Sequence, residues 1–118
     1  MVEMGAFDTF VVNCPNCGDQ MVIQTKLFEN EMTNICPGAT LSNPVTGEVD
    51  DFMIITKDGC EKCGHTPGLI FIGGEFKTAV SPKYAENIFK RSYMVINEHP
   101  WGTYEVTEID DKRFTTRW

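Results

Sequence analysis

Two five-residue segments of one pattern, CPNCG at residues 14–18 and CEKCG at residues 60–64, constrain this chain more than any other feature. Each segment, called a knuckle below, places two thiols on one tight turn. The glycine after the second cysteine permits a positive φ, which lets backbone amides point at sulfur. Four thiolates at about 2.3 Å complete a tetrahedron around one zinc ion. We therefore predict one structural zinc ion, with Cys14, Cys17, Cys60 and Cys63 as its ligands.

Two other uses of these cysteines, a redox dithiol and disulfide bonds, compete with the zinc site. A redox dithiol uses one CxxC at the start of a helix within a βαβ pattern, which is not evident in this sequence. Five cysteines fit four ligands and one spare thiol better than a complete disulfide framework. Cys36 is the predicted spare, because Pro37 and Gly38 do not repeat the knuckle pattern.

The predicted zinc site has no open position, which argues against catalysis. Catalytic zinc keeps one position for water, whereas four sulfur ligands saturate the ion. The sequence contains neither a GxSxG motif nor a glycine-rich phosphate loop. His65 is interpreted as an exposed turn residue, with donation to a ligand sulfur as the alternative, and His99 as a loop residue. We predict no enzyme activity; an enzyme that uses Cys36 or a pair of carboxylates is the alternative.

The chain is acidic, with a net charge of -7, and four thiolates with one Zn²⁺ would lower that charge further. Such a charge opposes binding to the phosphates of nucleic acid, so we expect a protein partner. The more specific form of this hypothesis is a partner with a basic surface. The predicted acidic surface comprises Glu105, Glu108, Asp110 and Asp111.

Two alternatives to this protein-interaction module remain. One is a nucleic-acid-binding zinc ribbon, and the other is an acidic inhibitor that imitates DNA. The first would depend on a small set of basic residues: Lys83, Lys90, Arg91, Lys112, Arg113 and Arg117.

The hydropathy pattern predicts a soluble protein. No apolar stretch approaches the 18 residues of a membrane-spanning helix, and the first four residues lack the features of a signal peptide. We expect a cytoplasmic location and no membrane contact. The oligomeric state is left open by the sequence.

Alternation and turn signals predict a mainly β fold of the small α+β class. The predicted strands cover residues 7–13, 21–28, 51–57, 68–72, 75–80, 93–97 and 103–109. Gly73-Gly74 joins two of them in a hairpin, and residues 36–50 form successive turns in a long insertion between the knuckles. Ser81 followed by Pro82 predicts a capped helix over residues 82–91.

The length of 118 residues predicts one domain over residues 1–118. Within it, a zinc-ribbon module covers approximately residues 7–80, and residues 81–118 are appended to it. The charged tail at residues 110–118 is expected to be loose.

The N-terminal segment resembles a group of small zinc-ribbon proteins encoded by bacteriophages and bacteria. The resemblance rests on GAFDT at residues 5–9, CPNCG, and QTK at residues 24–26, and it covers roughly the first 27 residues and the second knuckle. It implies zinc ligation by the four knuckle cysteines and no established activity. It also implies a phage protein that modulates a host enzyme or defence system.

Overall fold

The computed structural model describes residues 8–25, 34–56, 59–90, 92–99 and 103–109. Within these ranges the chain forms eight strands and one short 3-10 helix. The strands are β1 (Asp8–Asn13), β2 (Gln20–Thr25), β3 (Asn34–Ile35), β4 (Phe52–Ile55), β5 (Gly68–Ile72), β6 (Glu75–Val80), β7 (Tyr93–Glu98) and β8 (Tyr104–Ile109). The 3-10 helix spans Pro82–Asn87. The predicted fold class, mainly β with one short helix, is confirmed.

The strands form two sheets. The first has three strands in the order β2-β1-β3, and the second has five in the order β6-β5-β4-β7-β8. Sequential neighbours pair antiparallel, whereas β1 with β3 and β4 with β7 pair parallel. A parallel pair needs a long crossover. Between β4 and β7 that crossover contains the second knuckle, the β5–β6 hairpin and the 3-10 helix.

The larger core lies between the two sheets. Phe10 of β1 contacts Phe71 and Phe76 of the five-stranded sheet edge to face, with ring centroids 5.9 and 5.1 Å apart. A buried hydrogen bond also crosses the interface, because Thr25 Oγ1 donates to Glu98 Oε2 at 3.0 Å. The two sheets therefore share one apolar core, and the bond from Thr25 to Glu98 links β2 to β7 across it.

The opposite face of the five-stranded sheet is covered by the 3-10 helix and the residues that follow it. Ala85 and Phe89 pack there against Met53 and Ile70. Phe89 also stacks on Tyr93, with ring centroids 3.9 Å apart. β4 is consequently enclosed on both faces, in agreement with its continuous apolar run.

The hairpin predicted at Gly73-Gly74 is confirmed. The two glycines have φ of 59° and 82°, the positive values that a two-residue turn requires. The insertion reaches this hairpin, since the amide of Leu41 donates to the carbonyl of Gly74 at 2.7 Å. Gly38 and Gly47 also have positive φ, in agreement with the predicted turns.

The predicted helix was too long, whereas Ser81 is its N-cap residue and Pro82 its first residue, as predicted. The helix ends at Asn87 rather than near residue 91, because the chain then turns to place Phe89 in the core beside Tyr93. Ser81 makes no side-chain cap bond, and its hydroxyl instead lies 3.0 Å from His65 Nε2.

Every predicted strand end that falls on a described residue lies within one residue of the observed end. β3 was not predicted, since two residues carry no periodic signal. Several predicted positions lie outside the described residues, namely Phe7, residues 26–28, Lys57, Arg91 and residues 110–118.

Residues after Val80 supply two of the five strands in the larger sheet. β7 pairs in parallel with β4, and Ile96 of β7 lies in the core between the sheets. The single domain and its division near residue 80 stay predictions. Within the described ranges, no helix has the length and apolar character needed to cross a membrane.

Candidate metal centre

The two knuckles extend from different sheets. The first connects β1 to β2 in the three-stranded sheet, and the second lies between β4 and β5 in the five-stranded sheet. The fold brings all four predicted ligands, Cys14, Cys17, Cys60 and Cys63, into one cluster. The cluster therefore joins the two sheets at one end of their shared core.

Both knuckles are built by the same backbone hydrogen bonds. The amide of Cys14 donates to the carbonyl of Asp19 at 2.7 Å, and the amide of Cys60 donates to the carbonyl of His65 at 2.8 Å. Each bond closes the turn five residues after its first cysteine. The repeated sequence pattern thus gives a repeated local structure.

The glycine of each knuckle adopts the conformation that its position predicted. Gly18 has φ of 85° and Gly64 has φ of 79°. Each glycine amide donates to the carbonyl of the first cysteine in its knuckle, at 2.9 Å for Gly18 and 2.8 Å for Gly64. A side chain at either position would be strained, because L residues rarely adopt this region of φ.

The sulfur positions fit a tetrahedral metal site. All four Sγ atoms lie within 4.8 Å of one another, with Cys14 and Cys63 3.6 Å apart and Cys17 and Cys60 3.7 Å apart. A tetrahedron with metal–sulfur bonds of about 2.3 Å has edges of about 3.8 Å. A disulfide would bring two sulfurs to about 2.05 Å, and all five cysteines are free.

The cluster lies half inside the protein. Cys14 is 2% exposed and Cys60 is 5% exposed, whereas Cys17 and Cys63 are exposed at the surface. The first cysteine of each knuckle therefore packs into the core, and the second faces solvent. The backbone amide of Asn16 donates to Cys14 Sγ at 3.4 Å, a contact that stabilises negative charge on the sulfur.

Hydrogen bonds distribute the protons of the metal-free thiols unequally. The Asn16 side chain and the amide of His65 donate to Cys63 and lower its pKa to about 6. For Cys17, the amide of Asp19 lowers the pKa, but desolvation and hydrogen bonds with the other three thiols raise it to about 12. The Cys63 thiolate is thus available to a metal ion near neutral pH, whereas Cys17 loses its proton when the ion binds.

His65 supports the second knuckle in a way that the sequence did not indicate. Its backbone binds the knuckle, and its partly exposed ring lies within hydrogen-bond distance of Ser81. The expectation of an exposed turn residue was therefore wrong. A second contact links the two knuckles directly, since Lys62 Nζ lies 3.4 Å from Asp19 Oδ2. Both of these side chains are exposed, so this ion pair contributes about 0–1 kcal/mol.

The remaining candidate residues lie away from the cluster. Cys36 follows β3 and is not part of the sulfur cluster, as predicted. It is exposed, where a half-buried thiol was the expectation. His99 Nε2 lies 3.6 Å from a carboxylate oxygen of Glu105. Asp110 and Asp111 of the predicted acidic surface lie outside the described residues.

Comparison with known proteins gives no relative, since no family model, no curated protein and no solved structure matches the chain. The resemblance of the N-terminal segment to phage and bacterial zinc ribbons stays a prediction from sequence.

Proposed function

We propose that the cysteine cluster binds one Zn²⁺ ion with a structural role, and that the protein acts without catalysis as a protein-interaction module. The observation that carries the metal assignment is the position of four sulfurs at distances close to the edges of a tetrahedral zinc–thiolate site. Four thiolates select zinc or iron over harder ions such as magnesium. Two CxxC turns that supply four cysteines are the ligand set of structural zinc in zinc ribbons, which favours zinc.

The ion would act as a clamp between the sheets. Each knuckle contributes two sulfurs, so an ion bound by all four connects the β1–β2 turn to the segment between β4 and β5. The same sheets already share an apolar core that includes Cys14 and Cys60. Metal binding free energy therefore adds to the free energy of folding, by about 10 kcal/mol or more in zinc-finger peptides.

The non-enzymatic role is supported by the ligand set and by the surface. Four cysteines leave no coordination position for water or substrate. The chain carries a net charge of -7, which favours a basic protein partner and opposes nucleic acid. On the resemblance of the N-terminal segment alone, we extend the proposal to a phage protein whose partner is a host enzyme or defence protein.

Elemental analysis of purified protein tests the metal assignment. We expect one zinc per chain, loss of the ion in Cys60→Ser, and retention of the ion in the matched variant Cys36→Ser. Iron in place of zinc would contradict the assigned ion. Equal zinc loss in both variants would contradict the assigned ligands.

Binding assays test the interaction role. We expect affinity capture from a host lysate, followed by mass spectrometry, to return a specific protein whose association slows as salt is raised. Single- and double-stranded DNA and RNA should bind weakly at low salt. Tight, salt-sensitive nucleic-acid binding would contradict the proposal and support a nucleic-acid-binding ribbon.

A further inference from the structure

The last strand of the larger sheet, β8, lies at one edge of that sheet. β8 pairs antiparallel with β7 over six residue pairs, and in the part of the chain that the structure describes no strand pairs with its other side. An edge strand of this kind presents a row of unpaired backbone amides and carbonyls. Such an edge is a template for another strand.

The opposite edge of the same sheet is covered. Backbone hydrogen bonds connect the insertion to β6 and its turn: the Gly38 amide donates to the Phe76 carbonyl at 2.8 Å, and the Phe76 amide donates to the Ala39 carbonyl at 2.8 Å. Thr40 also forms a bridge with Glu75. The insertion therefore protects the β6 edge, whereas no described segment protects β8.

The side chains of β8 are suited to contact with a partner strand. Val106 pairs with the buried Ile96 and shares its face, yet Val106 is 38% exposed and Tyr104 is 42% exposed. The regular register shows no bulge, and the strand contains no proline or lysine, the usual devices that prevent edge pairing. The charged residues of the strand are Glu105 and Glu108.

A cleft at the C-terminal end of β8 adds negative charge. The cleft has a volume of about 770 Å³ and lies between the insertion and the ends of β7 and β8. Its lining includes the carboxylates of Asp50, Asp51 and Glu108, beside the apolar side chains of Val49 and Met94. Among the residues that the structure describes, the lining contains no basic side chain, so these carboxylates would complement a cationic side chain of a partner.

We propose that β8 binds an extended, basic segment of a partner protein by strand addition. The inference rests on the proposed interaction role and names the surface that performs it. In antiparallel pairing, residues directly opposite share a face and have Cβ atoms about 4.5–5.5 Å apart. The complementary segment, read from its N-terminus, carries a basic residue opposite Glu108, an apolar residue opposite Val106, a basic residue opposite Glu105 and an apolar residue opposite Tyr104.

A second copy of this chain is a poorer occupant. Each copy carries the net charge of -7, and β8 contains two glutamates and no cation. Symmetric antiparallel pairing centred between Val106 and Thr107 would place Glu105 opposite Glu108. Like charges directly opposite each other destabilise a strand pair. Charge therefore favours a basic partner over self-association.

A labelled synthetic peptide of the order Lys-Thr-Ile-Lys-Val tests the proposal against the full chain with its metal. We expect saturable binding by fluorescence anisotropy, and shifts of the Tyr104–Ile109 amides in NMR spectra of the protein. Glu108→Lys replaces a cross-strand attraction with a repulsion, which should weaken binding about twofold to thirtyfold. A peptide with Glu in place of the first Lys should bind the Glu108→Lys variant better than the original protein.

The matched control is Glu86→Lys, which makes the same change in net charge at an exposed position of the 3-10 helix. We expect it to alter peptide affinity less than twofold. Equal weakening by the two variants, or shifts confined to amides outside β8, would overturn the proposal. So would dimerisation through β8, or peptide binding seen only after removal of the residues beyond Ile109.

The readouts separate this inference from the proposed function. Zinc content should be the same in Glu108→Lys, Glu86→Lys and the original protein, because neither substitution touches the knuckles. A captured protein partner that binds Glu108→Lys as well as it binds the original protein would contradict the β8 surface but not the interaction role. Absence of zinc from the original protein would contradict the metal assignment but not the β8 surface.

Discussion

The melting temperature should rise linearly with the logarithm of the free zinc concentration, with the slope expected when one ion binds each chain. Above the dissociation constant, each tenfold rise in free zinc stabilises the folded protein by about 1.4 kcal/mol when one ion binds and the unfolded chain binds none. At about 2.1 cal/mol/K per residue, the 118 residues give an unfolding entropy of about 250 cal/mol/K. The Tm should therefore rise by about 5.5 °C for each tenfold increase in free zinc.

The assay is thermal unfolding, followed by circular dichroism, in buffers that fix free zinc over several orders of magnitude. Cys60→Ser should lose most of the slope, because Cys60 is 5% exposed and its sulfur belongs to the cluster. Cys36→Ser should keep the slope of the original protein, because its thiol lies outside the cluster.

Three results would refute this reasoning. A slope near 11 °C would show two ions per chain, and a flat response would show that metal binding is not coupled to folding. A loss of slope in Cys36→Ser equal to that in Cys60→Ser would show that the four ligands are misassigned.

Three further predictions follow from the same structure. In metal-free protein the pKa of Cys63 is lowered from 9.0 to about 6, so between these pH values the unfolded chain binds one more proton than the folded chain. The free energy of unfolding, measured by denaturant titration with chelator present, should therefore rise from pH 6 to 9. A fall over that range would contradict the lowered pKa. Gly74→Ala would place its Cβ 2.4 Å from Val49 Cγ1 and should lower the free energy of unfolding by about 1–3 kcal/mol. The control Gly73→Ala should cost less, because no atom lies within 4 Å of its Cβ. Equal melting temperatures of the two variants would contradict the contact. Phe71→Ala should cost about 3–5 kcal/mol by chemical denaturation, because its ring is fully buried, and a loss below 1 kcal/mol would argue against the core between the sheets.

The sequence predicted the features that depend on local geometry. The spacing CxxCG identified the four cysteines that the structure brings together, because two thiols three residues apart on one turn already form half a tetrahedral site. The hairpin at Gly73-Gly74 followed from the tolerance of glycine for positive φ. The structure shows β2 as a half-buried strand of alternating burial, with Ile23 in the core and Val22 exposed.

Features that depend on which distant segments meet were decided only by the tertiary structure. Nothing in the two knuckles shows that they belong to different sheets, or that β4 pairs in parallel with β7. A strand pattern specifies which face is apolar, but its backbone can pair with almost any other strand. The short β3 exists through its pairing with β1, and the helix shortens because Phe89 enters the core. The position of β8 at the edge of the five-stranded sheet likewise follows from strand order, which emerges only when the whole chain packs.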